Sequence, residues 1–407
     1  VDLTRPTPPP FDWAQDLFTV GVTGTNGKTS TVHLIAAALA ATGDPVLTVG
    51  TVGYYLDGVD LQLPRTLSSF HRAFEGLVKR GGRYGAVEVT SKALKEGFAK
   101  RWRFDLAVFT NLSPDHYQTH GSWEHYLASK AQLFVHLAPG ATAVLNASDP
   151  HSMFLDQAIP GDVQRLWYGS PSRGDPQIPP DLLAAEIEVG AGGTRVELAP
   201  SELADALGGQ LHVNMVGDVF AENAMAAAAA AVRAGVEPEL VVKGLGECPP
   251  VPGRFEVVHR EPTVVVDYAH TPDALGRTLD TARACARGRV LLVFGAGGES
   301  SPDKRGPMGE IAGRKADRVF VTNDNPRRED PKQIADMLVS GIRKTSTSKP
   351  QIVFDRARAI EMAIGESEPE DIVVIAGKGH ERGQHVGETV EPFSDRDEVL
   401  RVVGSDR

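Results

Sequence analysis

The residues best suited to chemistry gather first in "FTVGVTGTNGKTSTVHLIAAALAATG", residues 18–43. An apolar run ends in a Gly-rich turn with a lysine and then opens into an Ala-rich helical pattern. Gly24 and Gly27 let the backbone bend close to a ligand. A helix N-terminus at this point aims amide groups and a partial positive charge at whatever sits there. Lys28 adds a full charge, and Thr29 offers a hydroxyl to Mg2+. Gly24, Thr25, Asn26, Gly27, Lys28, Thr29 and Ser30 are therefore the candidate phosphate loop. The strict spacing G-x4-GK[ST] fails by one position, because Val22 stands where its first Gly belongs. An ordinary tight turn accounts for the glycines alone. It does not account for Asn26, Lys28 and Thr29 beside them.

A second group lies further along. "AVEVTSKAL" sets Glu88 at a strand end, and "AVFTNLSPDHYQTHGSWEHYLASKAQLF" sets Asn111, Asp115 and His116 after the next strand, with Lys130 inside a helix. In open parallel sheets the ligand site lies beyond the carboxyl ends of the strands. Glu88, His116 and the phosphate loop are thus expected to converge, with Glu88 and His116 placed to hold Mg2+. One Glu or His at a strand end is usually solvated or structurally bonded. Three such features at one sheet edge favour a site.

The elements that must position these groups follow a repeating pattern. Strands are expected at 17–22, 44–49, 84–89, 104–110 and 142–146, and helices at 29–41, 68–80 and 122–137. This alternation predicts a parallel sheet with helices on both faces. Residues 160–210 are rich in Gly, Pro and short apolar alternation, which predicts an antiparallel β insertion. The helix "FAENAMAAAAAAVRAG" follows, then "CPPVPGRFEVV" as a hinge, then a second αβ series from "PTVVVDYA" to "DIVVIAGKG". Two domains are expected, 1–252 and 253–407. The 407-residue chain carries a formal net charge of -11, which argues against a broad nucleic-acid surface. Its two cysteines, Cys248 and Cys285, have no paired spacing, which suits a reducing cytoplasm. No apolar run of about 18 residues suggests a membrane span, and the N-terminus lacks the order of a signal peptide.

The ordered strings "GVTGTNGKTS", "GTVG", "EVTSKAL", "FTNLSPDH", "HYLASKAQLF", "VPGRFE", "VDYAHTPDAL", "KRGPMGEIA", "TNDNPRREDP" and "IAGKGHE" resemble the Mur ligases, ATP-dependent amide ligases of peptidoglycan synthesis. Within that family the chain is similar to the branch that adds the third amino acid to UDP-MurNAc-dipeptide. The resemblance implies an α/β fold: a P-loop central domain, with a parallel sheet and a small β insertion, followed by a C-terminal Rossmann-like domain. It implies ATP and Mg2+, with Lys28 and Thr29 at the β- and γ-phosphates and Thr29, Glu88, His116 and Lys130 around the metal. Lys130 resembles a lysine that becomes carbamylated, which turns an ammonium into a carboxylate-like ligand. Lys28, His116 and Lys130 are the expected catalytic groups, and Asn223, Arg254 and Asp267 resemble nucleotide contacts.

The same resemblance places an amino-acid substrate on Arg305, Asp324, Asn325, Arg327, Gly377 and Glu381. The tetrad "DNPR" matches the form that accepts meso-diaminopimelate, with Arg327 gripping the distal carboxylate. The acceptor side departs from the family. Set against the family, the usual N-terminal UDP-binding domain is expected to be missing ahead of the phosphate loop. Arg65, Thr66 and Leu67 stand for Thr-Thr-Pro, Thr90, Ser91 and Lys92 for Ser-Ser-His, and Phe98 for an arginine. Arg65, Thr66, Thr90, Ser91 and Lys92 are thus expected to hold an acceptor other than UDP-MurNAc-dipeptide. The alternatives are that dipeptide itself, a folylpolyglutamate- or polyamino-acid-type acceptor, and a non-catalytic nucleotide-binding scaffold. Small-molecule partners, a monomer, no nucleic acid and no membrane are expected.

Overall fold

The computed structural model describes residues 11–113, 121–190 and 192–404. The chain divides into two compact units, one built from the residues up to Pro249 and one from Pro250 onward, apart from two short pieces.

The first unit carries strands β1 (Phe18–Thr23), β2 (Val46–Val49), β3 (Tyr54–Leu56), β4 (Val59–Asp60), β5 (Tyr84–Glu88), β6 (Leu106–Phe109), β7 (Thr142–Asn146), β8 (Gln164–Gly169), β9 (Leu182–Gly190), β10 (Gly193–Leu198) and β11 (Gln210–Val213). They form one sheet in the order β11-β10-β9-β8-β7-β6-β1-β5-β2-β3-β4. β1 is buried from Thr19 onward, as a strand covered on both faces must be. It lies between β5 and β6 and runs parallel to both, with Val22 beside Glu88 and Thr23 beside Phe109. Three strand ends therefore finish level. From β1 the chain first crosses to β2 on one side, returns to fill the gap with β5, and then crosses to β6 on the other side, so the crevice beyond β1, β5 and β6 is a topological switch point.

Residues 160–210 hold the expected antiparallel pairing at their C-terminal end, where β10 pairs with β11, but their first strands belong to the parallel sheet: β8 joins β7 and β9 joins β8 in parallel. Burial follows this division. Leu166–Gly169 of β8 is continuously buried and extends the covered sheet, whereas β10 alternates toward its end as a strand with one solvated face does. At the opposite edge β2, β3 and β4 pair antiparallel, in a short hairpin that the sequence reading does not contain. Its turn, Asp57-Gly58, has both φ angles positive, at 51° and 76°.

Helices Lys28–Ala40, Leu67–Lys79, Trp123–Val135 and Asp218–Arg233 lie against this sheet. Thr66 and Ser122 cap the second and third by accepting from Ser69 N and His125 N. The Ala-rich fourth helix is buried from Phe220 to Ala231. Its small side chains let it pack closely on Lys28–Ala40. Beneath Leu67–Lys79 an aromatic cluster joins Phe70, Phe74, Phe98 and Trp102.

The second unit carries β12 (Glu256–Arg260), β13 (Thr263–Asp267), β14 (Val290–Phe294), β15 (Arg318–Val321), β16 (Gln351–Ile352) and β17 (Ile372–Ala376), in the order β12-β13-β17-β14-β15-β16. All neighbours are parallel except β12 and β13. A hairpin of β18 (Gly383–Val386) and β19 (Thr389–Pro392) follows. Among the described residues no helix is long and apolar enough to cross a membrane.

Candidate active site

The phosphate loop is held from its neighbours. Asn111, at the end of β6, accepts from Asn26 N through Oδ1 (3.0 Å), donates to Asn26 O through Nδ2 (3.0 Å), and accepts from Thr25 N on its own carbonyl (2.8 Å). Thr110 Oγ1 adds a bond to Asn26 O at 2.7 Å. Gly27 caps the helix with φ 83°, and a Cβ there would lie 2.5 Å from Asn223 Oδ1. Both observations require glycine. The first turn, Lys28 to Ser30, then presents the amides that a helix leaves without intrahelical partners. Lys28 Nζ folds back onto Thr25 O at 2.7 Å, above the same turn.

Beside the loop lies a corner of oxygen donors. Thr29 Oγ1 donates to Glu88 Oε2 at 3.0 Å. Thr51 donates to the same oxygen twice, through N and Oγ1, both at 3.1 Å, and its hydroxyl is 3.3 Å from that of Thr29. Two hydroxyls and a carboxylate at a helix N-terminus suit a hard divalent cation such as Mg2+. Thr51 is absent from the sequence-derived set. Its string, "GTVG", belongs to the family resemblance but assigns Thr51 no role, and the pairing of β2 with β5 brings it to Glu88. His116 and Asp115 lie outside the described residues. Among the described residues no cluster of three or more His, Cys, Asp or Glu is placed to hold a metal.

Lys130 is only 1% exposed, so it is not a surface lysine. Its Nζ donates to Gly24 O at 2.6 Å and lies 4.5 Å from the Tyr126 ring centroid. The Tyr126 hydroxyl is 3.1 Å from Thr25 Oγ1. A carbamate on Lys130 would keep one N–H, which is compatible with the bond to Gly24 O.

The acceptor-side residues divide in two. Thr66 and Thr90 are helix caps, bonded to Ser69 N and Ala93 N, and Ser91 is buried. Arg65 and Lys92 are exposed next to those caps. Phe98 packs edge-on against Phe70, with centroids 5.2 Å apart, and so belongs to the aromatic core.

In the second unit, Asp267 ends β13 and accepts from Phe255 N (2.7 Å), Ala269 N (2.8 Å) and Thr278 Oγ1 (3.0 Å). Its carboxylate therefore braces a turn, and by acceptor count about one lone pair remains for a ligand. Arg254 stacks on Tyr268, 4.4 Å from the ring centroid.

The residues expected around an amino acid lie at the ends of β14, β15 and β17. Gly377 has φ 120°, and a Cβ there would run into the Asp324 carboxylate. Asp324 Oδ2 is buried with no hydrogen-bond partner among the described residues. An orphaned carboxylate oxygen over a side-chain-free glycine is a cradle for a cationic group. Asn325 Nδ2 donates to Glu381 Oε2 at 2.9 Å. Burial pushes the Glu381 carboxyl up, but the Lys378 ammonium and the bonds from Asn325 and Lys378 outweigh it, holding the group below the ordinary carboxylate range. Arg327 sits at φ 53°, held by Arg327 N to His385 O (2.9 Å) and Gly387 N to Arg327 O (2.8 Å), and its guanidinium donates to Gly298 O. Arg305 is 3% exposed and donates to Glu329 Oε2 (2.6 Å) and Gly297 O (3.1 Å). Two residues that the sequence reading does not single out tie these loops down. Lys378 bonds Asn325, Glu381 and Gly383. Arg356, in a buried pair with Asp395, donates to Asn323 O and Ala376 O just ahead of Asp324 and Gly377.

Comparison with known proteins shows the family of the chain. The Mur ligase middle domain matches residues 22–231, and the domain described as "Mur ligase, glutamate ligase domain" matches residues 253–379. A UDP-N-acetylmuramoyl-L-alanyl-D-glutamate--2,6-diaminopimelate ligase of Aquifex aeolicus is 36% identical over 397 residues, 97% of this chain and 79% of that protein. The ligase of the same description from Halalkalibacterium halodurans is 39% identical over 391 residues, 94% and 77% of the two chains. A solved structure of an enzyme so described superposes with TM-score 0.65 at 32% identity, covering 96% of this chain and 79% of that one. Mycobacterium tuberculosis folylpolyglutamate synthase shares the fold at TM-score 0.72 and 18% identity, over 90% and 88% of the two chains. The chain belongs to the Mur ligase family, whose members are ATP-dependent ligases that form amide bonds.

Proposed function

We propose that this ligase joins meso-diaminopimelate, or a closely similar diamino diacid, to the carboxylate of an anionic acceptor smaller than UDP-MurNAc-dipeptide. The observation that carries the amine is the Asp324–Gly377 cradle, with Asn325, Glu381 and Arg327 on the neighbouring loops. A diamino diacid offers an ammonium to Asp324 and Glu381 and a distal carboxylate to Arg327. The relatives at 36% and 39% identity carry 2,6-diaminopimelate in their descriptions, which favours the same amine.

ATP is assigned to the phosphate loop and Asn223 of the first unit. Mg2+, held by Thr29, Thr51 and Glu88 with His116 and a carbamylated Lys130, supplies neutralisation of phosphate charge when bound. An acceptor carboxylate oxygen attacks the γ-phosphorus, the bond to ADP breaks, and an acyl phosphate forms. Lys28 and the first-turn amides stabilise charge spread over the transferring oxygens. The amine lone pair then attacks the acyl carbon, the tetrahedral intermediate expels phosphate, and the amine proton is lost.

The acceptor reading rests on exposed Arg65 and Lys92 beside two helix caps, and on Phe98 filling the aromatic core in place of an acceptor arginine. A second reading, UDP-MurNAc-L-Ala-D-Glu as acceptor, is favoured by the descriptions of the relatives. Steady-state ADP release tests the amine. Arg327→Ala is expected to raise the KM for meso-diaminopimelate about tenfold or more, as loss of a charge-assisted bidentate contact does. The KM for ATP is expected to stay unchanged. An unchanged diaminopimelate KM would remove Arg327 from the site. Arg65→Ala and Lys92→Ala are expected to raise the acceptor KM in the same assay.

A further inference from the structure

We propose that Lys378 is a positioning residue for the amine substrate: from a fully buried position it sets the orientation of the Asn325 amide and the placement of the Glu381 carboxylate. The inference rests on the reading that Asn325 and Glu381 hold the amino acid.

Lys378 is 0% exposed, so it reaches neither solvent nor substrate. An ammonium has three N–H donors. Here all three are used, to Asn325 Oδ1 at 2.9 Å, Glu381 Oε2 at 3.0 Å and Gly383 O at 2.7 Å. A buried cation is tolerable only when paired in this way.

The consequence falls on Asn325. Its Oδ1 receives Lys378 Nζ and His385 N (3.0 Å), so the oxygen end of the amide faces two donors. Turning the amide over would set its NH2 against an ammonium and a backbone N–H. Its Nδ2 is thereby directed at Glu381 Oε2, 2.9 Å away. Glu381 Oε2 thus receives two donors from within the protein. Oε1 has no recorded bond among the described residues and is the oxygen presented to a ligand ammonium. The bond to Gly383 O also fixes the first residue of the β18–β19 hairpin. That hairpin holds the backbone of Arg327 and, through Gln384 Nε2 to Asp324 O (2.8 Å), the backbone of Asp324. One side chain therefore braces four residues of the expected amine site without touching the amine.

The test is calorimetric binding of meso-diaminopimelate to the full chain in Mg2+ and a non-hydrolysable ATP analogue. Wild type is expected to bind. No binding by wild type overturns the amine reading itself. With Lys378→Met the diaminopimelate Kd is expected to rise about tenfold or more, while the Kd of the ATP analogue changes less than about twofold. Because Lys378→Met leaves Glu381 without its cation, Lys378→Met/Glu381→Gln is the companion variant that removes the unpaired charge. In a double-mutant cycle the two changes are expected to be strongly non-additive, because Lys378 acts through Glu381. Wild-type diaminopimelate affinity in Lys378→Met, or full additivity in the cycle, overturns the positioning role. Parallel loss of nucleotide and amine affinity in both variants would mean a general structural role, and would also overturn it.

Discussion

At the scale of single residues, the metal corner depends on register as much as on residue type. Thr51 supplies a hydroxyl and an amide to the same Glu88 oxygen that Thr29 reaches. Thr51→Ala is expected to raise the Mg2+ concentration for half-maximal ADP release about tenfold at saturating ATP, the cost of one lost bond to a charged group. A Mg2+ titration of the variant checks this, and an unchanged midpoint would take Thr51 out of the corner. The two thiols should differ sharply. Burial pushes the Cys248 thiol up to about 12, and its Sγ donates to backbone carbonyls in the first unit. Cys285 is half-buried. A thiol reagent at pH 8 is expected to label Cys285 in the native protein and Cys248 only after denaturation, as peptide mapping would show. Lys28 after a Gly-rich turn, Asn111 and Glu88 at strand ends and Lys130 inside a helix were legible in the sequence, because a Gly-rich turn after an apolar run and polar residues at strand ends mark a sheet edge and the string around Lys130 carries the family resemblance. Thr51 and Lys378 were not. One is a hydroxyl in a loop and the other a lysine in a Gly-flanked string, and each matters only through partners far away in sequence.

Elements show where local pattern suffices and where it does not. β7 falls at Thr142–Asn146 as expected, and the helices at 28–40 and 123–135 shift from expectation by one or two residues at their ends. In the 160–210 segment the antiparallel pairing of β10 with β11 was legible, but the parallel joining of β8 and β9 was not, because short strands with Gly and Pro look alike whether they form an insertion or extend a sheet. Partner strands decide between them, and β7 offers an open parallel edge. The second unit contains a different device. Arg356 and Asp395 are both 0% exposed and pair bidentately at 2.7 and 2.8 Å. Asp395→Asn leaves a buried guanidinium uncompensated and is expected to cost about 3–5 kcal/mol. The apolar pair Arg356→Met/Asp395→Leu is expected to recover much of that loss. Urea unfolding of both variants checks the pair. Equal losses would mean that the carbonyl contacts of Arg356, rather than the charge pair, hold this region.

At the scale of the whole molecule, the two units divide the expected chemistry. The first carries the phosphate loop, the oxygen corner and Lys130, and the second carries Asp324, Asn325, Arg327 and Glu381. On the proposed reaction, an acyl phosphate is consumed only by an amine, so ATP turnover is expected to depend on both an acceptor and an amine. The most direct test is mass spectrometry of products from ATP, Mg2+ and meso-diaminopimelate. UDP-MurNAc-L-Ala-D-Glu and a pool of UDP-free small carboxylic acids and peptides would be supplied in parallel reactions. The account predicts an adduct in the UDP-free pool, heavier than its acceptor by diaminopimelate less one water, with one ADP released per adduct. An adduct on UDP-MurNAc-L-Ala-D-Glu alone would contradict the acceptor assignment, and no adduct with either acceptor would contradict the diaminopimelate-ligase reading.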